Sequence, residues 1–299
     1  MSGIIIAILA TVSYSLSYVF LRKAQTTSNL PDHGLFPVLG IGGFMLGLSL
    51  LIQIFRSPNQ FEAVPNLNHL IMYCIIVGIT GTLIGRRAFY AAIHDLGATR
   101  SVIIKTLQPV ITMMIAVTIL GETFNRTDMI GIVLLLTGVA LLYLEPIILP
   151  PLRLKFIHHG LMLGFFAASL YGISDVIRKI VMHYPISPLF AAGIEMNAAF
   201  FVYLLVLAIR GRLRDYVNQY IHVFNRNLLM AGVLSASGRI LFFTALITTP
   251  VFVASPILAI QPILVALFSV IFRVSEKIGL FVYISVIMVT ISIIVIGSN

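Results

Sequence analysis

The chain has 299 residues, of which 59% are hydrophobic and only 10% are charged, and its mean hydropathy is +1.06. A soluble protein of this length needs a charged surface that this composition does not supply, so soluble one- and two-domain folds are excluded. The net charge of +9 comes from basic residues in short segments between apolar runs, a pattern typical of membrane orientation and not of nucleic-acid binding.

Apolar segments of about 20 residues recur along the whole chain, the length a helix needs to cross a hydrocarbon core of about 30 Å. In chain order they are predicted at 2–21, 35–55, 69–93, 100–120, 127–144, 160–182, 188–209, 227–247, 251–272 and 278–297. The first lacks a basic n-region and runs on into Arg22-Lys23, so it is interpreted as a helix and not as a cleaved signal. The sequence therefore predicts an all-α polytopic protein of a cell membrane, plasma or inner, with ten transmembrane helices.

An internal repeat relates the third and fourth segments to the eighth and ninth. GRRAFYAAIHDLGATRSVIIKTLQP (85–109) aligns without a gap with GRILFFTALITTPVFVASPILAIQP (238–262). Apolar matches carry little information in this composition, but a matched arginine followed 22 residues later by a matched Gln-Pro does. The informative matches are Arg86 with Arg239, Gln108 with Gln261 and Pro109 with Pro262; a weaker one relates Tyr14 and Ser17 to Tyr171 and Ser174.

The repeat predicts two five-helix halves, residues 1–145 and 160–299, joined by a loop at 146–159. Because five is odd, the second half starts from the opposite side of the membrane. The two halves are then inverted repeats, an arrangement found in transporters whose central site opens alternately to each side.

The chain resembles the drug/metabolite transporter superfamily, in particular its ten-helix EamA type. The resemblance is carried by ATVSYSLSYVFLRK (10–23), GTLIGRRAFYAAI (81–93), Pro109 followed by LGE (120–122), and GIVLLLTGVALL (131–142), together with their counterparts such as VSE (274–276). Tyr14 stands where the family often has Trp, and Arg86 and Arg239 stand where it often has Tyr. The resemblance implies a secondary transporter or exporter of small metabolites, with a central cavity lined by both halves.

Six ionisable residues fall inside the predicted helices, where each is a candidate functional residue because charges inside a bilayer are costly. At a rise of 1.5 Å per residue they lie about 8–12 Å inside the membrane. We call the side that carries both termini face B and the other side face A. The spacing predicts a basic cluster near face A (Arg86, Arg87, Lys105) and a nearly balanced cluster near face B (Asp175, Glu195, Arg239).

Arg86 and Lys105 are predicted to bind a carboxylate or phosphate, since arginine pairs with either in a bidentate manner. Asp175 or Glu195 is predicted to titrate and couple transport to protons, the alternative being a structural ion pair with Arg239. Arg86, Arg87 and Lys105 have the alternative of snorkelling to the surface.

The two Gln-Pro pairs lie within predicted helices. Pro109 and Pro262 are predicted to bend them, as hinges or as static kinks. Buried amides need partners, so Gln108 and Gln261 are predicted to line the cavity. Weaker cavity candidates are Tyr14, Tyr90, Tyr171 and Asn197.

No cofactor or metal is predicted, because Cys74 is the single cysteine and the seven histidines lie in loops or at helix ends. The sequence has no HExxH, GxSxG or P-loop, which disfavours a membrane-embedded lipid-acting enzyme and an ATP-driven pump. Nothing in the sequence distinguishes a monomer from a homodimer.

Of the basic residues outside the predicted helix interiors, 11 fall on face A and four on face B, namely Arg56, Arg126, Arg178 and Lys179. The positive-inside rule therefore predicts a cytoplasmic face A and external termini, whereas the resemblance implies cytoplasmic termini.

The sequence as a whole predicts a secondary active transporter, an exporter, of a small anionic or zwitterionic metabolite such as an amino acid. The alternative within transport is a carrier of cationic or drug-like solutes that uses Glu195 and Asp175 as counter-charges. The expected partners are the lipid bilayer, the substrate and protons, and no nucleic acid.

Overall fold

A computed structural model describes residues 2–56, 64–120, 126–148, 154–249, 251–274 and 279–297, and these residues are organised as α-helices joined by short connections. Glu122 and Glu276, at the acidic ends of the two halves, lie outside these ranges, as do residues 149–153 of the connecting loop.

In the first half the helices follow the predicted segments closely. The third predicted segment is one continuous helix whose central part is π-helical. The fourth predicted segment is divided into two helices. The elements are α1 (Ser2–Thr27), α2 (Leu35–Arg56), α3 (Leu67–Val77), the π-helical segment Gly78–Gly85, α4 (Arg86–Leu96), α5 (Ala98–Lys105), α6 (Leu107–Leu120) and α7 (Arg126–Ile148).

The second half repeats this order with one addition. Its elements are α8 (Leu154–Met182), α9 (Pro188–Ile209), α10 (Leu213–Val223), α11 (Arg226–Thr248), α12 (Val251–Leu258), α13 (Gln261–Ile271) and α14 (Leu280–Gly297). Helix α10 corrects the sequence prediction, which treated this stretch as a polar loop. It is a short amphipathic helix whose inward side carries Leu213, Tyr216, Tyr220 and Val223 at the i, i+3, i+7 and i+10 positions.

Six of the described helices are long and apolar enough to cross a membrane: Gly3–Thr27, Leu35–Arg56, Leu67–Leu96, His158–Met182, Pro188–Ile209 and Arg226–Thr248. Met129–Leu141, Gln261–Ile271 and Leu280–Ser292 are shorter apolar helices. The protein is therefore an all-helical, multi-pass membrane protein, and the count of ten crossings stays a prediction.

The two prolines lie at helix beginnings and not in helix interiors, which corrects the predicted mid-helix position. Pro109 is in the first turn of α6, and Pro262 is in the first turn of α13. A proline ring clashes with the carbonyl four residues before it. Those residues are Lys105 and Leu258, the last residues of α5 and α12.

The packing of the helices is symmetric under exchange of the two halves. Helix α1 packs along α11, and its counterpart α8 packs along α4 and the π-helical segment; α2 packs on α9, and α7 on α14. Replacing each element by its counterpart reproduces the same set of pairs. The inverted orientation of the halves stays a prediction that this pattern favours.

Arg22 and Lys179 illustrate the symmetry at the level of side chains. Arg22 Nη1 donates to the carbonyls of Ile93 and His94 at the end of α4. Lys179 Nζ donates to the carbonyls of Leu246 and Thr249 at the end of α11. Each cation thus donates to carbonyls at a helix C-terminus, where a positive charge is favourable.

Candidate substrate cavity

A small cavity lies at the centre of the helix bundle, between elements of both halves. Its volume is about 20 Å³, room for about one water molecule. A metabolite therefore enters only after the surrounding helices separate. The cavity is lined by Tyr14, Tyr18, Arg86, Lys105, Gln108, Tyr171, Asp175, Arg178, Ser235, Arg239, Phe242 and Leu258.

A second, smaller space adjoins it where the two broken helices meet. Pro109 and Gln261 line this space, and Lys105, Gln108 and Leu258 line both spaces. The breaks before the two Gln-Pro pairs therefore bring both glutamines to the centre of the bundle.

Arg178 is the residue that binds the two buried carboxylates of the cavity. Its Nη1 donates to Asp175 Oδ1 at 2.7 Å, and its Nε and Nη2 donate to the two oxygens of Glu195 at 3.0 and 2.8 Å. Only 2% of the Arg178 side chain is exposed, which corrects its assignment to the face B surface. The i, i+3 spacing from Asp175 was the available sequence signal, because such residues lie on one face of a helix.

The carboxylates have further partners. Glu195 accepts a hydrogen bond from the Thr82 hydroxyl of the π-helical segment, and Arg239 Nη1 lies 3.4 Å from its Oε1. Asp175 accepts a hydrogen bond from the Gln108 amide. Both carboxylates are thus fully engaged by groups from four different helical elements, and the predicted ion pair of Glu195 with Arg239 is part of a larger network.

Lys105 is held by neutral groups and not by a carboxylate. Its Nζ donates to the Tyr18 hydroxyl and to Gln261 Oε1, each at 3.0 Å. The same ammonium lies 5.0–5.7 Å from the ring centres of Tyr14, Tyr18, Phe89 and Tyr171, within the range of cation–π attraction. Because its side chain is 7% exposed, Lys105 faces the cavity and does not snorkel to the surface.

Arg86 is a buried cation without a carboxylate partner among the described residues. It is 3% exposed, and the contact of its guanidinium is with the Met196 sulfur, 3.8 Å from Nη1. Other buried polar atoms in or beside the cavity also have no partner in the described part of the chain, among them the Tyr14 hydroxyl, the Gln261 amide nitrogen and Arg239 Nε. Buried donors of this kind normally have a hydrogen-bond partner.

The structure brings the two predicted charge clusters together into one. Four cations (Arg86, Lys105, Arg178, Arg239) and Asp175 line the same cavity. Glu195 lies behind the lining, against Arg178 and Arg239, so the cluster as a whole has a formal surplus of two positive charges (4 − 2). The first-half and second-half clusters were predicted to lie near opposite faces. The helix breaks and the packing of α4 on α8 remove that separation.

Three candidates lie outside this cluster. Arg87 is exposed on the outer side of α4. Tyr90 is buried in the hydrophobic core, next to the cavity but not in its lining. Asn197 donates to the carbonyl of Gly193 and packs on the glycine face of α2, where a Cβ at Gly47 would lie 3.0 Å from its amide nitrogen.

The EamA-like transporter family matches residues 1–144 and again residues 158–298, which together make up nearly the whole sequence. The chain belongs to the EamA-like transporter family. A crystal structure of another protein superposes on this EamA-like chain with a TM-score of 0.64 at 13% identity, covering 98% of this chain and 96% of that one. At that identity the likeness establishes a shared fold alone. No curated protein matches the sequence significantly. The EamA-like chain is thus a membrane transporter by family.

Proposed function

We propose that this EamA-like protein is a secondary active transporter that exports a small anionic or zwitterionic metabolite, such as an amino acid, by alternating access to the central cavity. The observation that carries the proposal is the Arg86 guanidinium, which is buried against the cavity without a carboxylate partner among the described residues. A buried cation is normally paired, and a substrate anion supplies the missing partner.

The groups around Arg86 support an anion as ligand. A planar guanidinium binds a carboxylate or phosphate through two parallel hydrogen bonds. Lys105 adds a second cation, and the unpartnered Tyr14 hydroxyl and Gln261 amide add neutral donors. A ligand that carries one or two negative charges offsets the formal surplus of positive charge in the cavity.

A cationic or drug-like substrate is disfavoured by the same contacts. Both carboxylates that would act as its counter-charges are already bound by Arg178. The aromatic rings that would attract an organic cation already surround the Lys105 ammonium. A cationic substrate would therefore have to displace a tethered cation and compete with an arginine.

Proton coupling, the finer part of the proposal, is assigned to Asp175. Glu195 is contacted by two arginines, whereas Asp175 is contacted by one arginine and one neutral amide. Asp175 is thus the carboxylate with less positive charge around it. Transport driven by an imposed pH gradient in proteoliposomes, and its loss in Asp175→Asn with counterflow retained, tests this assignment.

The substrate proposal is tested by ligand-induced thermal stabilisation of the purified protein. The panel contains amino acids, phosphorylated metabolites and amines, because a ligand raises the unfolding temperature according to its affinity. We expect an anionic or zwitterionic compound to stabilise the wild type, Arg86→Gln to lose the shift, and Arg87→Gln to keep it. The adjacent Arg87 is the matched control, since it lies on the outer side of the same helix.

Tyr14→Phe provides a variant that keeps the size of the side chain and removes only its unpartnered hydroxyl. A lost hydrogen bond to a charged ligand weakens binding about tenfold. Stabilisation by amines alone, or an unchanged shift in both Arg86→Gln and Tyr14→Phe, overturns the anion proposal. In proteoliposomes, substrate accumulation against its gradient separates a carrier from a passive channel.

A further inference from the structure

A groove on the outer surface of the protein lies between α4, α8 and the loop that joins α1 to α2. Its volume is about 400 Å³, far larger than the volume of the central cavity. We call it the α4–α8 groove; its lining includes Asp32, His33, Ile84, Arg87, His159 and Phe166.

The wall of the groove is apolar and is exposed on the outer surface of the helix bundle. Ile84 and Phe166 are 43% and 48% exposed, and Leu163 and two alanines of α4 complete the wall. Phe166 follows His159 by two turns of α8, so the wall extends about 10 Å inward from the mouth of the groove. A surface of this shape and polarity fits the upper part of an acyl chain.

Arg87 supplies a positive charge that the groove does not compensate. The side chain is exposed, and within the described ranges it makes no hydrogen bond or ion pair. The carboxylate in the groove, Asp32, is already bound by the hydroxyls of Tyr203 and Tyr220 and by two backbone amides. Arg87 therefore has hydrogen-bonding capacity for an external anion.

Side-chain contacts join the elements of the groove at its mouth. His159 at the beginning of α8 lies with its Nδ1 2.8 Å from the Asp95 carboxylate at the end of α4. His94 Nδ1 lies 3.1 Å from the other oxygen of Asp95, and the His94 ring packs at 4.6 Å on His33 of the loop. These contacts join the three elements that form the groove.

From this geometry we infer that the α4–α8 groove binds an anionic phospholipid, with the headgroup phosphate on Arg87 and an acyl chain along Ile84 and Phe166. A guanidinium binds phosphate strongly and reaches the headgroup level by snorkelling. The apolar wall selects a lipid over a soluble phosphate, because a soluble anion gains nothing from it. The site is separate from the substrate cavity, since Arg86 and Arg87 point to different sides of α4.

The inference is tested with the purified full-length protein in detergent, titrated with short-chain phosphatidylglycerol, phosphatidylcholine or inorganic phosphate. We expect phosphatidylglycerol to raise the unfolding temperature and the other two to do so much less. We expect Arg87→Gln to raise the phosphatidylglycerol concentration needed for half-maximal stabilisation about tenfold or more, because the variant loses a charged hydrogen-bonding partner. Arg86→Gln and Arg214→Gln, the latter on the surface helix α10, keep the response.

Ala91→Phe tests the apolar wall independently of charge, because the larger side chain fills the groove while Arg87 stays. We expect this variant to lose the phosphatidylglycerol response as well. Equal stabilisation by the two lipids, a response to inorganic phosphate as large as that to phosphatidylglycerol, or an unchanged response in Arg87→Gln overturns the inference. Each outcome is distinct from failure of the substrate proposal, which is judged on metabolites and on Arg86→Gln.

Discussion

Arg178 binds Glu195 through two parallel hydrogen bonds, and this pair joins α8 to α9 inside the helix bundle. The same guanidinium reaches Asp175 one turn earlier on its own helix, and Arg239 of α11 lies against the far side of Glu195. Three helices of the second half thus meet at one charge network. In the first half, α1 corresponds to α8 and carries Tyr18 and Leu21 at the positions of Asp175 and Arg178. The charged members of the network therefore all belong to the second half, and the first half supplies its neutral donors, Thr82 and Gln108.

Replacing Arg178 by methionine is expected to destabilise the protein severely. The substitution leaves two buried carboxylates without their main counter-charge, and breaking a buried ion pair from one side costs about 3–5 kcal/mol. The measurement is the unfolding temperature of the purified protein. Lys179→Met is the matched control, since Lys179 donates to backbone carbonyls at a half-buried helix end. Similar unfolding temperatures for the two variants would contradict the central role of Arg178.

The positions of the long helices could be predicted because membrane thickness sets their length and composition sets their lipid-facing surface. Helix α10 was not predicted, because its outward side is polar and its inward side consists of only four residues. The Gln-Pro pairs were predicted to bend continuous helices, whereas both prolines lie in the first turn of a new helix. A proline ring clashes with the carbonyl of the residue four positions before it, so the preceding helix ends there.

The chemistry of the cavity was predictable residue by residue but not in its arrangement. Arg86, Lys105, Gln108, Gln261 and Arg239 stood out because polar groups are costly in a bilayer. The depth of a residue in the membrane does not specify which side chains of other helices lie beside that residue. The single cluster was therefore predicted as two. Arg178 was missed because its place near a helix end suggested a surface residue.

Gly78→Ala is expected to destabilise the packing of the π-helical segment on α9. A Cβ at Gly78 would lie 2.6 Å from the backbone oxygen of Glu195, and a backbone atom cannot rotate away. Forced overpacking costs about 1–3 kcal/mol. Gly40→Ala in α2 is the control, because its Cβ would meet the Phe200 ring at 3.4 Å and alanine favours helix. Equal thermal stability of the two variants would show that α9 moves away without cost.

Asp32→Ala is expected to loosen the contact of α10 with the α1–α2 loop. It leaves the hydroxyls of Tyr203 and Tyr220 and the amides of Gly34 and Phe36 without their acceptor, at a cost of about 3 kcal/mol or more. Tyr220→Phe removes one donor and costs about 1 kcal/mol. Burial and the Asp32 carboxylate raise the pKa of Tyr220, so its hydroxyl remains a donor at neutral pH. Thermal unfolding and proteolysis near α10 measure both variants; a larger effect of Tyr220→Phe would refute this ranking.

His33 is expected to make the protein less stable in mild acid. Burial lowers the pKa of His33, and the neighbouring His94 lowers it further. A histidine whose pKa in the folded state lies below its unfolded value of about 6.5 keeps its full contribution to the stability of the folded state above that pH. The contribution falls as the pH drops, because the unfolded chain then binds the proton more readily.

The matched variant is His33→Asn, because residue 33 has a left-handed backbone with a φ of 59°, which asparagine tolerates and most residues do not. The unfolding temperatures of wild type and variant are compared from about pH 8 to about pH 5, a range that brackets the histidine pKa. We expect the wild type to lose more stability than the variant as the pH falls below about 6.5. Groups distant from His33 titrate equally in both proteins, so the difference reports His33 together with its interaction with His94. Parallel curves would mean that protonation of His33 costs the folded state nothing.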